Sequence, residues 1–224
     1  MLKGLGVSGS FPSHKHTLVR SVIGLPSIFV AFLLNGSVHA APGRSVLLVG
    51  DSVMAALSGH YTGAAKAIIE ADGWTVTMDA RVCRKSTTPG CLHGSPISAL
   101  EVLRTRQNRQ STIVVIMLGH NDDRGTMFRE KVAAILDEVR DAPHVFWVSM
   151  REVSKSYVAA NRVITEEAAR RPNVQVIPWA EVSRQQGSWV ARDGTHLTAT
   201  GANQMALVIR QSLHAWHMRE QQAR

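Results

Sequence analysis

The sequence predicts an α/β domain in which a five-stranded parallel sheet is covered by helices on both faces. Short runs of aliphatic and β-branched residues alternate along the chain with longer segments whose apolar residues recur at helical spacing. Strand–helix–strand units join parallel strands by right-handed crossovers, so this alternation implies one sheet between two helical layers. The 224 residues are enough for one domain with a full core.

Four strands are predicted from continuous apolar runs, which indicate burial on both faces: 46–49, 113–118, 145–148 and 174–177. The second strand in chain order differs, because Trp74, Val76 and Met78 alternate with threonines. That pattern is typical of a strand with one solvent-facing side, which belongs at a sheet edge. The strand order 2-1-3-4-5 of flavodoxin-like folds would put it there.

Three helices are predicted from apolar stripes that we expect to pack in the core. They contain, in order, Tyr61, Ala64, Ala65, Ile68 and Ile69; Phe128, Val132, Ile135, Leu136 and Val139; and Met205, Ile209, Leu213 and Trp216. We expect the last helix to begin near Thr198, a residue type that caps helix N-termini.

Residues 1–40 have the pattern of a secretory signal peptide. They contain three basic residues and no acidic one, followed by an apolar run at 22–34. Small residues then stand at Val38 and Ala40, the positions that precede a predicted cleavage site between Ala40 and Ala41. The run is too short and too interrupted for a comfortable membrane span. We therefore expect a mature domain at 41–224 that is secreted or held in the cell envelope, without stable membrane insertion; an uncleaved anchor is the alternative.

The charge of the whole chain is +8, and removal of residues 1–40 with their three cations would leave +5. The composition excludes disordered, collagen-like and solenoid classes. No helix-long basic stripe interleaved with aromatic residues is present, so we expect no nucleic-acid partner. Five cations fall in predicted loops: Arg81, Arg84, Lys85, Arg124 and Arg151. They form either an electropositive rim that favours acidic substrates or ordinary solvated loop charge.

Ligands of parallel α/β sheets bind beyond the carboxyl ends of the strands, so the loops there carry the chemistry. Ser52 follows the first strand at a turn into a helix. A hydroxyl there is exposed, and the nearby backbone N–H groups at the helix start suit a nucleophile whose attack creates an oxyanion. The alternative is that Ser52 only caps the helix.

Two further segments lie on the same predicted rim. Asn121 follows the third strand, where its amide can donate to an oxyanion or merely form a turn. We expect the neighbouring His120 to be either a rim residue or a residue that supports those in contact with substrate, and not the base. Asp193 and His196 stand just before the last helix. A neutral imidazole suits the base that takes a serine proton, and a carboxylate three residues upstream can orient it.

Gly50-Asp51-Ser52, Gly119-His120-Asn121-Asp122 and Asp193-Gly194-Thr195-His196 together resemble the motifs of the SGNH (GDSL-type) serine hydrolase superfamily, over most of residues 45–215. The resemblance implies a three-layer α/β/α fold. It also implies Ser52 as nucleophile, His196 as general base and acid, Asp193 as its orienter, and an oxyanion hole that includes the Ser52 N–H and Asn121.

The sequence departs from the family where many members place an oxyanion-hole glycine, because the aligned residue here is Cys83. Any residue except proline supplies an N–H, provided that the loop can take the required dihedral angles. Cys91 lies eight residues on, and two cysteines in one loop of an exported protein predict a disulfide that could hold the Cys83 N–H in position. Free thiols or a catalytic cysteine are the alternatives.

The resulting hypothesis is an exported esterase that cleaves carboxylic esters of small molecules or glycans through an acyl-serine. An O-acetyltransferase or deacetylase acting on cell-envelope glycan is a close alternative, and a non-catalytic envelope-binding module is an alternative of another class. We expect no cofactor, since no dinucleotide-binding glycine motif follows the first strand, and no metal, since the usual histidine ligand spacings are missing. We expect a monomer.

Overall fold

The structure, a computed structural model, describes residues 44–58, 64–91, 97–105 and 112–223. The strands are β1 Ser45–Gly50, β2 Thr75–Ala80, β3 Thr112–Met117, β4 Val145–Val148 and β5 Val174–Ile177. The helices are α1 Ser52–Ala55, α2 Ala65–Glu70, α3 Ala99–Thr105, α4 Phe128–Glu138, α5 Lys155–Ala169, α6 Trp179–Ser183 and α7 Ala199–Gln222, with a 3-10 turn at Gly187–Trp189.

All described strand pairs are parallel, and the sheet order is β2-β1-β3-β4-β5. The predicted fold class and strand order are therefore confirmed. Strand β2 lies at an edge, where Val76 is buried and the flanking Thr75 and Thr77 are exposed, as its alternating sequence requires. Strand β3 ends at Met117, so the prediction that it continues to Leu118 was wrong by one residue.

Helices cover both faces of the sheet, and each face has its own buried apolar cluster. Helices α1, α2, α6 and α7 pack on one face, and α3, α4 and α5 pack on the other. The predicted stripes of α4 and α7 lie in these clusters, although Trp216 is only partly buried. Helix α7 begins where predicted, with the Thr198 hydroxyl accepting the Gly201 N–H at 3.1 Å. Tyr61 lies outside the described residues.

The pairing register of β1 with β2 and β3 aligns the carboxyl ends of these three strands. Gly50 at the end of β1 lies opposite Ala80 of β2 and Met117 of β3. The loops that follow these strands therefore start side by side at the carboxyl edge of the sheet, where the candidate residues lie. The predicted signal peptide at 1–40 lies outside the described residues, and none of the described helices is long and apolar enough to cross a membrane.

Candidate active site

Ser52 is held at a tight turn between β1 and α1. Asp51 is the N-cap of α1, and its Oδ1 accepts the Val53 N–H at 3.0 Å. The turn needs glycine at position 50, since a Cβ there would lie 2.3 Å from the Cβ of Met54. Because Gly50 lies close to Met54, the chain enters α1 directly, and Ser52 is the first residue of that helix. Ser52 is partly exposed at the carboxyl edge of the sheet. Its backbone N–H therefore lies at the positive end of a helix turn.

Three predicted residues come together in a hydrogen-bonded line. Ser52 Oγ lies 3.0 Å from His196 Nε2, and His196 Nδ1 lies 2.6 Å from Asp193 Oδ2. Because the Asp193 carboxylate accepts a hydrogen bond from Nδ1–H, the proton of the neutral imidazole is on Nδ1, and the lone pair of Nε2 faces the serine hydroxyl. Ser52 and His196 are 144 residues apart in sequence. The arrangement suits proton transfer from Ser52 to His196.

Asp193 is held as an anion by the turn it starts. Its Oδ1 accepts the N–H groups of Thr195 at 2.8 Å and His196 at 3.0 Å, while its Oδ2 meets the imidazole. These hydrogen bonds, the one from the His196 side chain above all, lower the pKa of Asp193 from 3.8 to about 2. The carboxylate therefore stays charged and fixes the imidazole over the whole neutral range.

The line of residues is open to solvent. The side chain of His196 is 55% exposed, and that of Asp193 is 49% exposed. Groups this exposed do not sit at the bottom of a deep apolar tunnel. A substrate that is large or part of a polymer can therefore reach them along the surface.

Cys83 adopts a backbone conformation that usually requires glycine. Its φ is +65°, and it is the only non-glycine residue with positive φ in the part of the chain that the structure describes. The side chain is joined to Cys91 by a disulfide, with the Cα atoms 5.4 Å apart, and the Cys91 N–H donates to the Cys83 carbonyl at 3.2 Å. The loop thus takes a glycine-like backbone conformation at a cysteine.

Asn121 lies beside this loop. Its Nδ2 donates to the Arg84 carbonyl at 3.1 Å, which joins the loop after β3 to the loop after β2. An amide nitrogen carries two hydrogens, so one of them remains for an oxyanion. The neighbouring Asp122 strengthens the junction, since its buried carboxylate accepts the N–H and the hydroxyl of Ser86 at 3.1 and 2.8 Å. This second contact was not predicted, because nothing in the sequence links residues 36 apart.

Neither interpretation of the loop cations holds for Arg84, whose guanidinium is buried. It pairs with Asp79 Oδ1 at 2.9 Å and donates to the Ile97 carbonyl at 3.3 Å. Its side chain is 2% exposed, so it contributes neither rim charge for a substrate nor a solvated surface. It holds the two ends of the loop that carries Cys83.

Arg124 and Arg151 act on the other loops in the same way. Arg124 Nη1 donates to the carbonyls of Gly119 and His120 at 2.9 and 3.0 Å. Arg151 donates from Nη1 to the Gly194 carbonyl at 3.0 Å, and from Nε to Ser183 at 3.2 Å. Three of the five loop cations therefore bind backbone carbonyls. The sequence carries no signal for such partners, since every residue has a carbonyl.

In the described ranges, no group of three His, Cys, Asp or Glu side chains is placed to hold a metal ion. The fold and the Ser–His–Asp line instead define the class, that of the SGNH-type serine hydrolases. The sequence pattern of the GDSL-like lipase/acylhydrolase family matches residues 48–203. The chain belongs to this family.

Curated relatives and solved structures give more detail. The chain is 29% identical over 166 residues to the O-acetyltransferase OatA of Staphylococcus aureus. The aligned residues make up 74% of this chain and 24% of that protein. The chain thus spans about a quarter of the length of this relative. The catalytic domain of Streptococcus pneumoniae peptidoglycan O-acetyltransferase A has a TM-score of 0.57 at 19% identity, covering 78% of this chain and 95% of that one. The crystal structure of TesA has a TM-score of 0.58 at 20% identity, covering 76% and 98%.

Proposed function

We propose that this chain cleaves carboxylic esters through an acyl-serine intermediate on Ser52. The observation that carries the proposal is the line from Ser52 Oγ to His196 Nε2 at 3.0 Å and from His196 Nδ1 to Asp193 Oδ2 at 2.6 Å. A serine hydroxyl is a weak nucleophile until a base removes its proton, and this line supplies the base and its orienting carboxylate.

The first half of the reaction transfers the acyl group to the enzyme. His196 Nε2 takes the Ser52 proton as Oγ attacks the ester carbonyl carbon, and the carbonyl oxygen becomes an oxyanion. The N–H groups of Ser52 and Cys83 and the free Nδ2 hydrogen of Asn121 donate to that oxyanion. The imidazolium then protonates the departing alcohol oxygen, and the acyl-serine remains.

The second half releases the acyl group to an acceptor hydroxyl. A water molecule or a sugar hydroxyl loses its proton to His196 Nε2 and attacks the acyl carbon, and Ser52 Oγ takes the proton back. Water gives a carboxylic acid, and a sugar hydroxyl gives a new ester. The same residues therefore serve a hydrolase and a transferase.

The specific candidate within this chemistry is acetyl transfer to, or removal from, cell-envelope glycan. It is favoured by the similarity to O-acetyltransferases, three of which are named for peptidoglycan, and by the exposure of His196 and Asp193, which suits a polymeric substrate. The same proposal includes export through the predicted signal peptide at 1–40. It also includes action as a monomer on a small-molecule or glycan ester, with no nucleic-acid partner.

The test is hydrolysis of a short-chain aryl ester by residues 41–224. Ser52→Ala removes the nucleophile and is expected to lower kcat by at least about 10³-fold. Ser212→Ala is the matched control, because that hydroxyl lies on α7 and donates to the Val208 carbonyl at 2.9 Å. Retained activity in Ser52→Ala would overturn the proposal.

A second measurement separates the candidate functions. Acetate release and acetyl transfer are followed together, with an acetyl-aryl ester as donor and a soluble envelope-glycan fragment as acceptor. Transfer in excess of release identifies a transferase, and release alone identifies an esterase or deacetylase. Binding to glycan without labelling of Ser52 by a fluorophosphonate would identify the non-catalytic module.

A further inference from the structure

The loops after β1 and β3 are joined by a buried contact between Asp51 and His120. His120 Nδ1 lies 2.8 Å from Asp51 Oδ2, the side chains are 5% and 0% exposed, and the two residues are 69 positions apart. Each precedes a residue of the proposed mechanism, Ser52 in one loop and Asn121 in the other. The contact therefore joins the loop of the proposed nucleophile to the loop of the proposed oxyanion donor.

Asp51 has no freedom to move away from this contact. Its Oδ1 is used by the Val53 N–H at 3.0 Å, and its own N–H donates to the Met117 carbonyl at 3.2 Å. Met117 is the last residue of β3, so the backbone of Asp51 is tied to the strand from which His120 follows. A displacement of Asp51 would break the start of α1 and move Ser52 with it.

The backbone of His120 is held equally firmly. The chain turns at Gly119, whose φ is +116° and where a Cβ would lie 2.9 Å from Met150 Sδ. Arg124 holds the His120 carbonyl at 3.0 Å, and its guanidinium lies 4.2 Å above the Tyr157 ring centroid. The Tyr157 ring in turn packs against the imidazole, at 5.9 Å between centroids. The imidazole is thus in contact with Tyr157 as well as with Asp51.

We propose that His120 is a positioning residue that, through Asp51, sets the distance between Ser52 and the Asn121 amide. The proposal rests on the proposed acyl-serine mechanism, in which these two groups act on the same carbonyl. Contacts with Met117, Gly119 and Arg124 hold each backbone separately, and the hydrogen bond between the two buried side chains links the loops directly at the residues next to Ser52 and Asn121. Misplacement of reacting groups by about 1 Å lowers rates by about 100-fold.

The test compares two substitutions of similar polarity. His120→Asn places an amide nitrogen at the δ position, where it can donate to Asp51 as Nδ1 does. His120→Gln carries its nitrogen one bond further along the side chain and loses that geometry. We expect His120→Gln to lower kcat on an aryl acetate by about 100-fold with little change in KM, and His120→Asn to stay close to wild type. His214→Asn, at an exposed position of α7, is the control.

The values of kcat are expressed per site titrated with a fluorophosphonate, so that misfolded protein does not count. His120→Ser, whose hydroxyl is too short to reach Asp51, replaces His120→Gln if the latter does not fold. Equal losses in the Asn and Gln variants would overturn the proposal, because the imidazole itself would then be needed. An unchanged kcat in the Gln variant, or a change confined to KM, would overturn it too. Activity that survives Ser52→Ala would instead overturn the proposed function.

Discussion

Cys91 holds Cys83 in a left-handed backbone conformation, with φ of +65°, in the loop that follows β2. This conformation costs a non-glycine residue about 1–2 kcal/mol, because its Cβ crowds the following carbonyl oxygen. The disulfide and the hydrogen bond from the Cys91 N–H to the Cys83 carbonyl offset that cost. The Cys83 N–H, the proposed oxyanion donor, therefore depends on this left-handed conformation for its position.

The first prediction concerns this disulfide. Cys91→Ser is expected to lower kcat on an aryl ester by about 10-fold, since the unlinked Cys83 then populates other conformations. It is also expected to lower the free energy of unfolding by about 2–3 kcal/mol. The double change Cys83→Gly with Cys91→Ser should restore kcat without restoring stability, because glycine takes positive φ freely. Urea unfolding and steady-state kinetics measure the two effects, and a double variant no faster than Cys91→Ser would contradict the account.

The second prediction concerns Asn121. Asn121→Ala removes the amide hydrogen left for the oxyanion and should lower kcat by about 10²–10³-fold, with KM nearly unchanged. Asn173→Ala is a matched control, because that amide donates to backbone carbonyls of residues 140 and 142 at the opposite edge of the sheet. An Asn121 variant whose loss is confined to KM would show that the amide binds ground-state substrate instead.

The third prediction is a pH dependence. The pKa of Asp193 is lowered from 3.8 to about 2 in the folded protein, chiefly by the His196 side chain, so its ionised form stabilises the fold above pH 4. This stabilisation is lost as the pH falls from about 4 to about 2. Because the side chain is half exposed, its size should stay below about 1 kcal/mol.

Unfolding of wild type and Asp193→Asn between pH 2 and pH 7 measures this dependence. The wild type should be the more stable of the two above pH 4, and the difference should shrink toward zero near pH 2. Asp141→Asn, at a largely exposed position, serves as control. A difference that grows as the pH falls would contradict the prediction. At neutral pH Asp193→Asn should also lower kcat by at least about 100-fold, since the imidazole loses its orienting anion.

The fourth prediction separates positioning from substrate charge at Arg151. This guanidinium donates to the carbonyls of Ser183, Arg184 and Gly194, the last of them inside the turn of Asp193 and His196. Arg151→Lys keeps the charge but cannot make the same set of bonds. We expect a loss of about 1–3 kcal/mol in stability and about 10-fold in kcat, with KM unchanged.

Arg140→Lys is the control for this substitution, because Arg140 is 75% exposed and follows α4, away from the candidate site. Circular dichroism with urea gives the stability, and aryl-ester kinetics gives kcat and KM. If Arg151→Lys behaved as wild type while Arg151→Gln raised KM, the charge of Arg151 would matter for the substrate and the positioning role would be wrong.

Most of the fold was predictable, because the spacing of apolar residues within a short segment indicates whether that segment is a strand or a helix and which of its faces is buried. The strands at 145–148 and 174–177 have the predicted bounds, and the alternation of Trp74, Val76 and Met78 predicts the edge position that β2 occupies. The error at Leu118 arose because an apolar residue that continues into a buried loop has the same hydropathy as one in a strand.

By itself, the sequence determined the fold class and the candidate residues in the loops at the carboxyl edge of the sheet. Ser52, Asn121, Asp193 and His196 are recognisable because each stands in a short motif directly after a strand or before a helix. The tertiary structure alone decided how these motifs are held in relation to one another. The carbonyl contacts of Arg84, Arg124 and Arg151 and the contact of Asp51 with His120 join segments that lie apart in sequence. Such contacts depend on where backbone groups lie in space, which no local pattern of side chains records.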